Sequence, residues 1–183
     1  MSTTFNVPTR DEVSADNQAI FDNLKKGVGF VPNLYAAYAY NDTALGDYLA
    51  LQNRKSTLKG KEREIINLVV SEVNQCYYCL SAHTALGKMN GFTDEQILEI
   101  RSGRATFNPK FDALAQFVRD IVINRSKPSE AVVDGFFAAG YTQANLIDVI
   151  MVIGDKIISN FIHGTTQVPI DFPEAQPLEI SHA

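Results

Sequence analysis

The stretch KEREIINLVVSEVNQCYYCLSAHTALGKM, residues 61–89, decides how this chain folds. Ile65, Ile66, Val69, Val70 and Val73 recur at helical spacing, with no strict alternation. A helix over Lys61–Val73 follows. Asn74 has the chemistry of an N-cap, so a second helix is expected from Gln75 to Met89, where Asn90-Gly91 ends it. Two helices in direct succession, with no strand pattern between them, point to an all-α chain.

The flanking sequence repeats the pattern. Ser14 is a candidate N-cap for a helix to Lys26, with Ile20, Phe21 and Leu24 on one face and Gly27-Val28-Gly29 as its stop. Pro32 suits a first turn, and a helical stretch to Tyr40 restarts behind Asn41 or Asp42 and runs to about Lys55. Thr93 with Gln96 makes a capping box for a short helix to Ser102. Further helices are expected over Pro109–Arg125, Ser129–Ala139 and Thr142–His163. Pro169, Pro173 and Pro177 leave residues 165–183 as an irregular tail. The expectation is a single all-α domain over residues 1–183, with its motif-bearing core at about 32–125.

Composition narrows the function classes. The chain has 183 residues, 45% hydrophobic and 20% charged, enough for a sizeable core. Its formal charge is −5 and no basic run is present, so no nucleic-acid or membrane partner is expected. No apolar stretch reaches the length of a transmembrane helix. Met1–Arg10 lacks a basic and then apolar leader pattern, and two cysteines cannot staple a secreted scaffold, so the cytoplasm is the expected compartment.

Both cysteines and one of three histidines fall within Cys76-Tyr77-Tyr78-Cys79-Leu80-Ser81-Ala82-His83. At 100° per residue, His83 lies about 20° and Cys79 about 60° from Cys76, so all three share one helix face. Cys79 and His83 are i and i+4, a spacing that brings ring and sulfur within hydrogen-bond reach. With Asn74 as N-cap, Cys76 would sit in the first turn, where free N–H groups and the helix dipole favour a thiolate. Thiol redox chemistry is one use of such a set. A local disulfide, a zinc site completed by a carboxylate, and two inert buried cysteines are the others.

Counting back twelve residues from Cys76 reaches Glu64, which gives E-x11-C-x-x-C-x-x-x-H. This pattern, with Lys61–Leu68 and Ser71–Asn74 around it, resembles the AhpD-like, carboxymuconolactone decarboxylase superfamily in its CxxC-bearing alkylhydroperoxidase (peroxidase-related) branch. The resemblance implies an AhpD-like helical bundle assembled as a dimer, trimer or hexamer. It implies a dithiol/disulfide cycle that reduces a small hydroperoxide at the expense of a thiol or dithiol reductant. Cys79 is then the peroxidatic thiol, Cys76 the resolving one, and His83 with Glu64 the proton relay. No cofactor and no metal are called for. A redox-sensing or structural oligomer, and a decarboxylase-type lyase, are the alternative functions.

The sequence departs from that pattern at Tyr78, where well-characterised members carry a histidine; a phenol is a poor base at pH 7. Periodicity also places Glu64 opposite the apolar face of its helix, as a border or solvated residue, and puts Glu72 on the apolar side as a second relay candidate. His163, among Ile157, Ile158, Phe161 and Ile162, reads as a capping or core histidine, and His182 as solvated. Phe30, Tyr35, Tyr38 and Tyr40 are candidates for a pocket wall, with core packing or a subunit contact the expected use. The Leu146–Phe161 segment is apolar nearly all round, which demands burial in the protomer or in an interface.

Overall fold

The computed structural model describes residues 5–178. Among them are nine α-helices, one 3-10 turn over Arg10–Glu12 and no strand. The helices are α1 (Ala15–Val28), α2 (Asn33–Tyr38), α3 (Ala44–Gln52), α4 (Gly60–Val73), α5 (Tyr77–Met89), α6 (Asp94–Arg101), α7 (Pro109–Ile123), α8 (Glu130–Ala138) and α9 (Gln143–Thr166). Most boundaries follow from local chemistry. The Ser14 side chain accepts from the Asn17 N–H, and Gly29 closes α1 at φ +94°. Asn41 Oδ1 accepts from the Thr43 and Ala44 N–H groups and so starts α3. The Thr93–Gln96 capping box opens α6. α9 runs to Thr166, and residues 167–178 carry no regular element. His182 lies outside the described residues.

α4 is the hub, packed against α5, α6, α7 and α9. Two apolar clusters form around it. The larger joins Ile65, Ile66, Leu68, Val69 and Val70 of α4 to α6, α7, α8 and the first half of α9, with Phe117, Phe136 and Tyr141 stacked in series. The smaller joins Phe21 of α1, Leu34 and Tyr38 of α2, and Leu45 and Tyr48 of α3 to Cys76, Tyr78 and Cys79 at the start of α5. No single helix among the described residues is long and apolar enough to cross a membrane.

One expected boundary is wrong, and it matters for the site. Asn74 does not cap α5; it is the C-cap of α4. Gln75 follows at φ +53°, its N–H bonded to the Glu72 carbonyl at 3.0 Å, and the Cys76 N–H reaches back to the Ser71 carbonyl at 2.9 Å. That pair of bonds is a Schellman motif, with glutamine in the left-handed position glycine usually takes. Cys76 is thus the last residue of that motif and the N-cap of α5 at once. A conformation that disfavours ordinary side chains overrode the capping preference of asparagine.

Candidate active site

The Schellman turn folds α5 back along α4, and this sets the register between the Glu64 side chain and the cysteine pair. Tyr77, Tyr78 and Cys79 are the first three residues of α5, so Cys79, not Cys76, lies inside the first turn. The free N–H groups and the dipole end there favour a sulfur anion. Both thiols are free and nearly inaccessible, Cys79 at 2% exposure. Their sulfurs lie 2.8 Å apart, with the Cys76 S–H donating to Cys79. That hydrogen bond, followed by the positive charges of Lys156 and His83, holds the Cys79 thiol well down, to about 5, against the opposing effect of burial. The same hydrogen bond and burial push Cys76 far up. Both effects act in the same direction, towards a proton on Cys76 and a thiolate on Cys79.

Glu64 is not solvated. It is 8% exposed, and its Oε2 lies 2.8 Å from His83 Nδ1 while Asn67 donates to Oε1 at 3.4 Å. Burial pushes its carboxyl up, but His83, with Lys156 and Asn67, holds it below the ordinary value. An ionised carboxylate only accepts, so Nδ1 carries the hydrogen and Nε2 is the ring's remaining nitrogen. The periodicity argument failed because α4 is enclosed on all sides. The face opposite its apolar stripe meets a cavity instead of solvent. Glu72 is a different case: it is half-buried and paired with Arg101 Nε at 2.6 Å, away from the cysteines. The direct Cys79–His83 hydrogen bond expected from i, i+4 spacing is absent among the described residues; the ring bonds Glu64 through Nδ1 instead.

Cys79, His83 and Glu64 open onto one cavity of about 460 Å³ beside the smaller cluster. Pro32, Leu34, Tyr35, Leu86 and Phe172 give it apolar walls; Gln52, Arg63, Asn67, Asp155 and Lys156 add polar groups. The size and mixed lining suit a small organic molecule. The sequence reading missed Asp155 and Lys156. Their one available signal was an adjacent acid–base pair in the middle of an apolar run. Among the described residues no group of three or more His, Cys, Asp or Glu side chains is placed to hold a metal.

Tyr78 takes a supporting position. Its hydroxyl donates to Asp171 Oδ1 at 2.7 Å and accepts from the Leu34 N–H at 3.1 Å, and burial pushes its phenol up. It ties the C-terminal segment to α2 and has no proton to spare at neutral pH. His163 packs on the Tyr78 ring and bonds the Val168 carbonyl through Nε2 at 3.1 Å, a satisfied core histidine. Tyr35 lines the cavity, Tyr38 is buried against Tyr48, Phe30 packs on Phe172, and Tyr40 is exposed.

The site is thus a buried CxxC pair with an adjacent His–Glu couple on two successive helices. Residues 35–120 match the model of the carboxymuconolactone decarboxylase family. The match spans α2 to most of α7 and includes all four motif residues. The chain is similar to a peroxidase-related protein of Silicibacter sp. TM1040, with 25% identity over 91% of each chain and a TM-score of 0.80. An alkylhydroperoxidase AhpD core protein of Ralstonia eutropha JMP134, also peroxidase-related, matches at 21% identity over 91% of each chain, with a TM-score of 0.82. A cysteine-to-alanine variant of the debrominase Bmp8, in complex with 2,3,4-tribromopyrrole, has the same fold at 14% identity over 93% of each chain and a TM-score of 0.76. No curated protein matches. The AhpD-like all-α fold is therefore shared with peroxidase-related proteins and with a debrominase.

Proposed function

We propose that this chain is a thiol-dependent hydroperoxide reductase that cycles between dithiol and disulfide. The observation that carries the reading is the Cys76 S–H donating to Cys79 at 2.8 Å, beside the buried Glu64–His83 couple. The Cys79 thiolate attacks the terminal oxygen of R–O–OH. An S–O bond forms, the O–O bond breaks, and the departing alkoxide takes the proton that His83 removed from Cys79, directly or through one water. Glu64 holds the ring in the tautomer this needs. Cys76 then attacks the sulfenic acid at Cys79, closing the disulfide and releasing water. A thiol or dithiol reductant restores both thiols by exchange. The sulfurs are already close enough that closure to about 2.05 Å requires only a small movement.

A second copy of the chain is the remaining partner. α9 turns Ile147, Met151, Ile158 and Phe161 outward, with Ile147 61% and Phe161 63% exposed. No charged side chain interrupts that stripe, so its best complement is the same stripe on another copy. We read the protein as a homo-oligomer on this face.

Steady-state consumption of an alkyl hydroperoxide with dithiothreitol tests the enzymatic reading. The native chain should turn over and Cys79→Ser should not. Equal, background-level consumption by both would end it and leave redox sensing as the use of the pair.

A further inference from the structure

The cavity holds a buried cation that the E-x11-C-x-x-C-x-x-x-H pattern does not account for. Lys156, near the middle of α9, is 3% exposed and lines the cavity with Cys79 and Glu64. Taking an ammonium group out of water costs several kcal/mol unless an anion and hydrogen bonds compensate. Lys156 makes no hydrogen bond and no ion pair within 4.0 Å among the described residues.

The anions near it are few. Glu64 is engaged by His83 at 2.8 Å. Asp155 lines the same cavity but forms no ion pair with Lys156 within 4.0 Å, and its Oδ1 is buried with no partner. The hydroxyls of Tyr35 and Tyr48 face the same space, and burial pushes both phenols up, so they stay neutral. Arg63, the other cation on the α4 side, donates to the Gln52 carbonyl at 2.5 Å. What remains is the sulfur of Cys79, which Cys76 and His83 face from α5.

We propose that Lys156 is the counter-cation of the Cys79 thiolate, a positioning residue supplied by α9 to a site otherwise built from α4 and α5. This rests on Cys79 being the reactive thiol. The charge of Lys156 acts on Cys79 in the required direction. It also explains why α9 buries a lysine: the thiolate and the ammonium each offset the other's desolvation. An opposite charge within about 4–6 Å shifts an ionisable group by about one to three pKa units.

The test is the pH midpoint of thiolate absorbance at 240 nm in the full-length chain, with native, Lys156→Met and Lys156→Arg proteins. Lys156→Met should raise the Cys79 midpoint by about one unit or more, a tenfold lower thiolate-to-thiol ratio below the midpoint. Lys156→Arg should restore it, because the charge is kept. An unchanged midpoint in a Lys156→Met protein with native circular dichroism overturns the proposal, as does a midpoint in Lys156→Arg that rises as far as in Lys156→Met. If the native chain turns over no peroxide but the midpoint still rises in Lys156→Met, the counter-cation stands and the peroxidase reading falls.

Discussion

Replacing Cys76 by alanine removes the S–H that the Cys79 sulfur accepts at 2.8 Å. That bond is the largest of the influences holding Cys79 near 5. A hydrogen bond to a charged group is worth about 1.5–3 kcal/mol, which corresponds to about one to two pKa units. The Cys76→Ala midpoint should therefore lie near pH 6–7. The sign follows from the direction of the shift. A lowered thiol pKa means thiolate persists down to acid pH and is lost as pH falls through the folded-state value. At pH 6 the thiolate fraction should drop from about nine-tenths in the native chain to between about a half and a tenth in the variant. The rate of attack on peroxide at that pH should fall by about two- to tenfold, and the difference should shrink towards pH 8.

The same variant separates the two cysteines. One equivalent of hydroperoxide should be consumed and the reaction should stop at a sulfenic acid on Cys79, since no partner thiol remains to condense with it. Cys79→Ser should show no titration below pH 8, because burial alone pushes the remaining Cys76 thiol up. Absorbance at 240 nm against pH, then mass spectrometry after dimedone trapping, reads both outcomes. A low-pH titration in Cys79→Ser, with the dimedone adduct on Cys76, would refute the assignment and make the N-cap thiol the nucleophile.

Three further outcomes are expected. His83→Ala should slow the single-turnover step by about 10²–10⁴-fold, the range for loss of a general acid–base group, because the departing alkoxide loses its proton donor, and Glu64→Gln by less, because the neutral amide still accepts from Nδ1; stopped-flow kinetics at pH 7 orders the two. Tyr78→Phe leaves the Leu34 N–H and Asp171 without their shared partner, so denaturant unfolding should show about 1–3 kcal/mol less stability while the peroxide rate stays within a few-fold of native. Light scattering at micromolar concentration should give a multiple of the 20.2 kDa chain mass, and Phe161→Asp should shift it to the monomer.

The fold was legible from the sequence because its signals are local. Ser14, Thr93 with Gln96, and Thr142 cap helices where their side chains predict. Even Asn41, read only as a restart, makes the bonds a cap makes. The site was half legible. Its spacing is a local property, so Cys76, Cys79, His83 and Glu64 could be named in advance. Whether Glu64 is wet or dry is a tertiary property. Periodicity assumes one buried face and one solvated face, and α4 has no solvated face. The same assumption promoted Glu72, whose charge is met by Arg101 from α6. Asn74 and Gln75 show a third failure: a sequence carries both a C-cap and an N-cap reading of the same residue, and only the packing of α5 against α4 chooses between them.

α9 joins these threads. An ordinary surface helix buries its apolar side and exposes its charges. Here the acidic and basic residues, Asp148, Asp155 and Lys156, are buried, and Ile147, Met151, Ile158 and Phe161 face out. Asp148 explains its own placement: it accepts from Thr57 Oγ1 at 2.7 Å and pairs with Arg54, tying α9 to the loop before α4. Lys156 and Asp155 face the cavity instead. The inversion is consistent only if each side has a partner. The inner side has the Cys79 anion and the Arg54 cation. The outer side needs another apolar surface, and covering it with a second copy would stiffen the same helix that holds Lys156 beside Cys79. Dissociating the oligomer with Phe161→Asp should then also loosen the site. The thiolate midpoint of that variant should rise towards the ordinary thiol value, in step with the loss of the assembled species.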